Sequence, residues 1–143
     1  MIANGALDLP ESLSFQVRAF LRDHIESYEQ LEILFILRKQ PGDLWSAQQL
    51  AERLQLPRDT IEEALQGLAR AGGINERARP EEAVRYFPRT AEQAATIDGL
   101  ATAYEVNPLA VIKLMSANAI ERVRTAAIHT FADAFVIGRR KDG

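Results

Sequence analysis

The sequence predicts a mainly α-helical protein with one small β-hairpin. Apolar residues recur at helical spacing along most of the 143-residue chain, which is typical of helices that bury one face. Several of these stretches begin at a serine or threonine and end at glycine or proline, the usual boundaries of a helix. Only residues 73–77 and 83–88 resemble strands, because the second stretch contains Val84, Tyr86 and Phe87.

The composition excludes several classes of function. With 47% hydrophobic and 26% charged residues, the chain has the balance of an ordinary globular domain. Its 17 Lys and Arg against 20 Asp and Glu give a formal net charge of −3, which argues against a protein that binds polyanions with its whole surface. The chain has no cysteine and only two histidines, so we expect no disulfide, no metal and no other cofactor.

The motifs of an enzyme and of a membrane protein are also missing from the sequence. We recognise no paired nucleophile and base, phosphate-binding loop or metal-ligand spacing, and predict that the protein is not an enzyme. The longest strongly apolar run, Ile33–Leu37, is far shorter than the ~20 residues that cross a bilayer. Residues 1–13 contain no basic residue and lack the pattern of a secretory signal. We therefore expect a cytoplasmic protein without a membrane partner.

The N-terminal segment, residues 1–26, is predicted to be a loose lead-in followed by a flanking helix. Ser27 and Gln30 then form a capping-box pattern. This pattern opens a second helix, which ends at Gln40 before a Pro-Gly pair. The second helix is apolar around most of its circumference and therefore needs cover on more than one side.

The central segment, residues 27–90, also contains two helices joined by a tight turn. Ser46 is a suitable N-cap for a helix over Ala47–Leu54. Pro57 suits the first position of the next helix, which ends near Ala71 at a pair of glycines. The two strand-like stretches follow, joined by a polar loop, and complete the predicted hairpin.

The C-terminal segment, residues 91–143, is predicted to hold helices that form a dimerisation region around the apolar second helix. Thr90 opens the first of them with a capping box, and Asn107-Pro108 kinks or restarts it. Asn118 predicts a new cap for a last helix over residues 119–137, which Gly138 ends. We expect the apolar residues of that helix to face inward, namely Val123, Ala127, Ile128, Phe131, Ala134 and Phe135.

The order of helix, helix, tight turn, helix and hairpin over residues 28–88 resembles the winged helix-turn-helix fold of bacterial transcription regulators. Ala51 is small where two helices would cross, Leu56 fills the turn, and Gly72 releases the chain into a strand. The resemblance implies that the second motif helix enters the DNA major groove, while the hairpin, or wing, touches the backbone or the minor groove. The flanking helices resemble those through which many such regulators dimerise, which implies a homodimer.

The resemblance also implies which residues contact double-stranded DNA. It places base readers on the second motif helix, phosphate contacts at the start of the helix before it, and further contacts on the wing. In that order, the candidate DNA-binding residues are Arg58, Thr60 and Gln66; Ser46 and Gln48; and Arg77, Arg79 and Arg85. The implied function is a sequence-specific DNA-binding transcription regulator that acts as a homodimer.

The charge of the second motif helix leaves two other interpretations open. Residues 55–72 contain two arginines and three acidic residues, and Asp59, Glu62 and Glu63 lie on the face that would meet DNA. Attraction to phosphate supplies most of the non-specific affinity of DNA-binding proteins. The alternative is a winged-helix protein–protein interaction module, whose acidic face docks on a basic partner. A third interpretation adds an effector pocket, apolar in character, between the wing domain and the flanking helices.

Overall fold

The computed structural model describes residues 13–79 and 81–142, with side chains as far as Ala134. Within these residues the predicted helical class is confirmed. The predicted lead-in, residues 1–12, lies outside the described residues. The helices, in chain order, are α1 (Phe15–His24), α2 (Tyr28–Lys39), α3 (Ala47–Leu54), α4 (Arg58–Ala71), α5 (Ala91–Val106) and α6 (Pro108–Asp142).

Side-chain caps start α2, α3 and α5 where the sequence predicts them. The hydroxyls of Ser27 and Thr90 each accept a hydrogen bond from the backbone N–H three residues later. Ser46 forms a complete capping box with Gln49. Pro57 is the N-cap of α4, one residue before the predicted position, where its missing N–H removes no helical hydrogen bond. The local sequence therefore determines where these helices begin.

Helix α4 is central to the packing. It contacts α1, α2 and α3, while α1 also packs against α5 and α6. The very apolar α2 is covered within its own chain, because Leu31, Ile33, Leu34 and Leu37 have no exposed surface. Burial of each such side chain stabilises the fold by about 1.5–3 kcal/mol. Other helices of the same chain therefore supply much of the cover that α2 needs, while Phe35 and Ile36 stay partly exposed.

The turn between α3 and α4 is tight and left-handed. Gln55 has a φ of 59°, and the next N–H, that of Leu56, donates a hydrogen bond to the Ala51 carbonyl at 3.0 Å. Leu54 and Leu56 pack against the core on either side of the turn. This turn fixes the angle between the two helices, so the predicted helix-turn-helix is confirmed.

The predicted β-hairpin is the first difference from the sequence analysis. Residues 73–77 and 83–88 form no regular strands among the residues that the structure describes. The chain is joined there by two isolated antiparallel bridges, one between Trp45 and Val84 and one between Ile74 and Tyr86. The wing is therefore an irregular loop pair rather than a hairpin with regular strands.

Asn75 gives the physical reason for this irregularity. Its side-chain Oδ1 accepts a hydrogen bond from the backbone N–H of Arg85 at 2.6 Å, and its Nδ2 donates to the Ala83 carbonyl at 3.3 Å. A side chain thereby takes the place of main-chain partners, as asparagine often does near turns. Two main-chain hydrogen bonds also join the segments, from the Asn75 N–H to the Arg85 carbonyl at 3.2 Å and from the Phe87 N–H to the Gly73 carbonyl at 3.0 Å.

The second difference is that α6 is one helix. It has 35 residues and a length of about 50 Å, with neither a break at Asn118 nor an end at Gly138. Neither residue is strong enough to stop it, because asparagine costs less than ~1 kcal/mol in a helix interior and glycine about 1 kcal/mol. Local capping signals are thus overridden here.

The apolar residues of α6 are the third difference. Val123, Ile128 and Phe131 are 71%, 62% and 74% exposed instead of facing inward. Every side chain from Val123 to Ala134 is exposed, and we call residues 123–134 the α6 arm. The side chain of Phe135, which was also expected inward, lies outside the described residues. None of the described helices is both long and apolar enough to cross a membrane.

Candidate nucleic-acid interface

The wing and α4 enclose a groove, here called the α4–wing groove. It has a volume of about 160 Å³ and is lined by Gln66 of α4 and by Arg77 and Arg79 of the wing, together with Leu65, Ala69 and Ala78. Three of the predicted DNA-binding residues, from two separate segments, therefore meet in one place.

Glu62 belongs to an ion-pair cluster beside this groove. One of its carboxylate oxygens, Oε1, pairs with the guanidinium of Arg77, and the other, Oε2, lies 3.5 Å from the guanidinium of Arg58. The side chains of Glu62 and Arg77 are only 22% and 10% exposed, whereas that of Arg58 is 51% exposed. The negative charge of Glu62 is thus balanced by two arginines within the protein.

Outside this cluster, α4 carries two exposed acidic residues, Asp59 and Glu63, and one exposed basic residue, Arg70. Together with Glu62, Arg58 and Arg77, this surface therefore holds three acidic and three basic residues. The acidic face that the sequence suggested is therefore weaker than a count of acidic residues implies.

The base of the wing is fastened to the end of α4. The Arg89 guanidinium donates a hydrogen bond to the Ala69 carbonyl at 3.0 Å, and Gln93 Nε2 donates to the Ala71 carbonyl at 2.8 Å. These bonds satisfy carbonyls that have no partner within the last turn of a helix. Gly72 has a φ of 93°, which glycine adopts without strain. The position of the wing relative to α4 is therefore fixed.

The tip of the wing is organised by a carboxylate. Glu82 accepts hydrogen bonds from the backbone N–H groups of Ala78 and Arg79. The side chain of Arg79 is exposed, and its guanidinium pairs with no other group in the part of the chain that the structure describes. This guanidinium is available to an external anion.

Arg85 lies on the outer side of the wing. Its guanidinium carbon is 4.6 Å from the centroid of the Phe87 ring, a cation–π distance, and Phe87 is 46% exposed. Tyr86, between them in sequence, points inward, and its burial raises the pKa of its phenol. Only one of the two aromatic residues faces outward, as the alternation within a strand predicts.

The predicted contacts at the start of α3 are engaged locally. The Ser46 hydroxyl accepts the Gln49 N–H at 3.0 Å, and Gln48 Nε2 donates to the Glu52 carboxylate at 3.1 Å. Thr60, at the start of α4, is half-buried. None of these three predicted residues is among those that line the α4–wing groove.

Sequence reasoning missed the pairing of Glu62 with Arg77 and the role of Asn75. Both contacts form only when the wing has folded against α4 and onto itself, so no local sequence pattern predicts them. The spacing of Arg58 and Glu62 was a usable signal, because residues four apart are neighbours on a helix.

A second cavity lies between α2 and α5. It has a volume of about 390 Å³, and its walls include Phe35 and Tyr104, whose ring centroids are 5.4 Å apart. The hydroxyls of Tyr28 and Tyr104 are 3.1 Å apart, and this hydrogen bond raises the pKa of Tyr28 to about 12. The third interpretation places an effector pocket between the wing domain and the flanking helices, and this cavity lies between α2 and α5. The described residues contain no group of three or more His, Asp or Glu that could hold a metal ion.

The chain forms a winged helix-turn-helix from α2, α3 and α4 and the bridged wing that follows them in sequence. The chain is similar to MepR, a transcription regulator of the Staphylococcus aureus multidrug efflux pump MepA. That similarity has 14% identity, covers 90% of this chain and 92% of that chain, and has a TM-score of 0.47.

Two further solved structures are similar to the chain. A MarR family transcription regulator is 26% identical, with 92% of this chain and 89% of that chain covered and a TM-score of 0.46. The Mycobacterium tuberculosis transcriptional regulator MOSR, solved in complex with DNA, is 19% identical, with coverages of 92% and 94% and a TM-score of 0.46. No protein-family model and no curated protein matches the chain.

Proposed function

We propose that the protein is a sequence-specific DNA-binding transcription regulator that acts as a homodimer. The α4–wing groove carries this proposal, because Gln66, Arg77 and Arg79 meet there beside the exposed Arg58. A winged helix of this kind inserts its second motif helix into the major groove, and its wing contacts the adjacent backbone or minor groove.

The electrostatics of the groove support the proposal. Glu62 is neutralised by two arginines, so it repels DNA phosphates less than an unpaired carboxylate would. The exposed guanidinium of Arg79 at the wing tip suits a phosphate contact, which positions a protein on DNA without reading its sequence. Arg58 and Gln66 are the base readers, because arginine pairs with guanine and glutamine with adenine in the major groove.

The exposed apolar side chains of α6, in the α6 arm and before it, support the homodimer. Leu109, Ile120, Val123, Ile128 and Phe131 are all exposed and recur at spacings that return to one face of the helix. A helix without tertiary contacts is marginally stable in water. A second copy of this chain offers the same apolar face, and a two-fold contact covers both at once. The two α4 helices would then face half-sites on the DNA about one helical turn, or a multiple of it, apart.

The dimer is tested by light scattering coupled to size-exclusion chromatography. We expect the wild-type chain of 15.9 kDa to elute at twice that mass. Phe131→Asp, which places a charge on the apolar face, should elute as a monomer. Thr125→Asp is the matched control, since Thr125 lines the cleft between α6 and Arg22 of α1, and this variant should stay dimeric. A monomeric wild-type protein would rule out this part of the proposal.

DNA binding is tested by a mobility-shift assay at low salt with the DNA upstream of the protein's own gene. We expect a shifted band that survives an excess of scrambled duplex of the same composition. Equal competition by the scrambled duplex would mean that binding is not sequence-specific, and the proposal would fail.

The alternative function, a protein–protein interaction module, is favoured by the two exposed acidic residues of α4, Asp59 and Glu63. The two functions predict opposite results for Glu63→Lys. A docking face for a basic partner loses that partner when the charge is reversed. A DNA-binding face instead binds any duplex more tightly at low salt, because one repulsive charge has become attractive.

A further inference from the structure

We infer that Glu62 is a specificity-determining positioning residue, because its carboxylate holds the base-reading Arg58 by anchoring it to Arg77 of the wing. This inference rests on the proposed DNA-binding function. Glu62 itself need not touch DNA. It acts through Arg58.

Arg77, to which Glu62 is anchored, is held rigidly in the wing. The Arg77 side chain is nine-tenths buried; besides its pair with Glu62, it donates a hydrogen bond from Nη1 to the Glu82 carbonyl at 3.3 Å. Glu82 in turn accepts the N–H groups of the wing tip. Arg77 is therefore held on two sides, and one oxygen of the Glu62 carboxylate is held with it.

The other oxygen is directed at Arg58. It lies 3.5 Å from an Nη atom of Arg58, and that side chain is half-exposed at the first residue of α4. A free arginine side chain samples many rotamers, and ordering it on binding has an entropic cost. A fixed carboxylate one helical turn away restricts these rotamers before DNA arrives, which is preorganisation.

Two effects of Glu62 can be separated by removing its charge, because they change the affinity for the preferred duplex in opposite directions. A carboxylate near DNA repels phosphate, so removing its charge should tighten binding to every duplex. If Glu62 positions Arg58, however, the same change should weaken binding to the preferred sequence. The ratio of specific to non-specific affinity therefore separates the two effects.

The test compares Glu62→Gln with the matched control Glu63→Gln, its neighbour on α4. The probes are the duplex that wild-type protein selects from a library of about 30 randomised base pairs, and a scrambled duplex of the same composition. We expect Glu62→Gln to lose about five- to fiftyfold in affinity for the selected duplex, with unchanged or tighter binding to the scrambled one. Glu63→Gln should keep the wild-type preference.

A double-mutant cycle with Arg58→Ala identifies the route of the effect. If Glu62 acts through Arg58, then Glu62→Gln should change the affinity for the selected duplex less than about twofold when Arg58 is already absent. An equally large loss in that background would show a general structural role and would overturn the inference.

Glu62→Asp covers the case in which Glu62→Gln does not fold. It keeps the negative charge but is too short to reach both arginines, so it should lose the preference as well. If either folded variant keeps the wild-type preference, the inference is wrong while the proposed function stands. If the wild-type protein selects no duplex, the proposed function fails and the inference falls with it.

Discussion

Gln30 of α2 occupies the space that a side chain on Gly67 of α4 would need. A Cβ atom on residue 67 would lie 2.0 Å from the side-chain nitrogen of Gln30. Gln30 is 4% exposed, and its Oε1 accepts a hydrogen bond from the Glu26 N–H at 2.7 Å. Glycine is normally unfavourable within a helix, but here it lets α2 lie close against α4.

We therefore expect Gly67→Ala to destabilise the protein. Alanine should improve helix propensity by about 1 kcal/mol, but the clash forces the buried Gln30 side chain to move and to give up its hydrogen bond. Overpacking of this kind costs about 1–3 kcal/mol, and the lost bond about 1 kcal/mol more. The midpoint of urea unfolding should fall, and Gln30→Ala should relieve much of the effect in the double variant.

Gly99→Ala is the control for this prediction. A Cβ at residue 99 of α5 would meet only Val17, at an ordinary 3.4 Å. This variant should be neutral or up to about 1 kcal/mol more stable. If Gly67→Ala were equally harmless, the close approach of Gln30 would not constrain the fold.

Asn75→Ala should loosen the wing. The Arg85 N–H and the Ala83 carbonyl both lose their hydrogen-bond partner on Asn75, and each unsatisfied group that is shielded from water costs about 1–3 kcal/mol. Hydrogen exchange followed by NMR should show faster exchange of the Arg85 amide, while the amides of α2 stay protected. The neighbouring Glu76→Ala, at a largely exposed side chain, should leave the Arg85 amide protected. Unchanged protection in Asn75→Ala would contradict the role given to this side chain.

Arg79→Ala should weaken DNA binding without changing its specificity. A phosphate contact carries no sequence information, so affinities for the selected and scrambled duplexes should fall by the same factor. The slope of log affinity against log salt concentration should decrease by about 1. Arg124→Ala on α6, whose arginine pairs with Glu121, is the control and should leave the slope unchanged. A loss confined to the selected duplex would instead assign Arg79 to base reading.

Tyr28 should titrate later than an ordinary tyrosine. Its hydrogen bond with Tyr104 raises its pKa from 10.0 to about 12, because ionisation would disrupt that bond. The stabilisation is therefore complete below pH 10 and is lost as the pH rises toward 12. Absorbance titration should reveal a tyrosine with a pKa near 12 that is absent from Tyr28→Phe. If the variant removes a tyrosine that titrates near 10, the hydrogen bond does not form in solution.

The sequence was informative where structure depends on neighbouring residues. Ser46, predicted as an N-cap, precedes the first residue of α3, and Gly72 follows the last residue of α4, so both boundaries are found as predicted. Three candidate DNA contacts, Gln66, Arg77 and Arg79, also meet in the α4–wing groove.

Features that depend on distant residues could not be predicted in this way. The Asn75 side chain can replace two main-chain partners only because the two wing segments lie together. In the sequence, Glu62 appeared to be part of an acidic face. Its partner Arg77 is 15 residues away and meets it only when the wing has folded. Asn118 has the local pattern of a cap, yet α6 continues through it, because a capping signal is worth less than the uninterrupted helical hydrogen bonding around it.

Hydroxyl-radical footprinting on the selected duplex tests most directly whether a dimer presents two α4 helices to DNA. We expect two protected half-sites on one face of the duplex, with centres about one helical turn, or a multiple of it, apart. The Phe131→Asp variant should lose both protections together, while Thr125→Asp keeps them. A single protected site for the wild-type protein, or protection spread evenly along the duplex, would contradict a sequence-specific dimer.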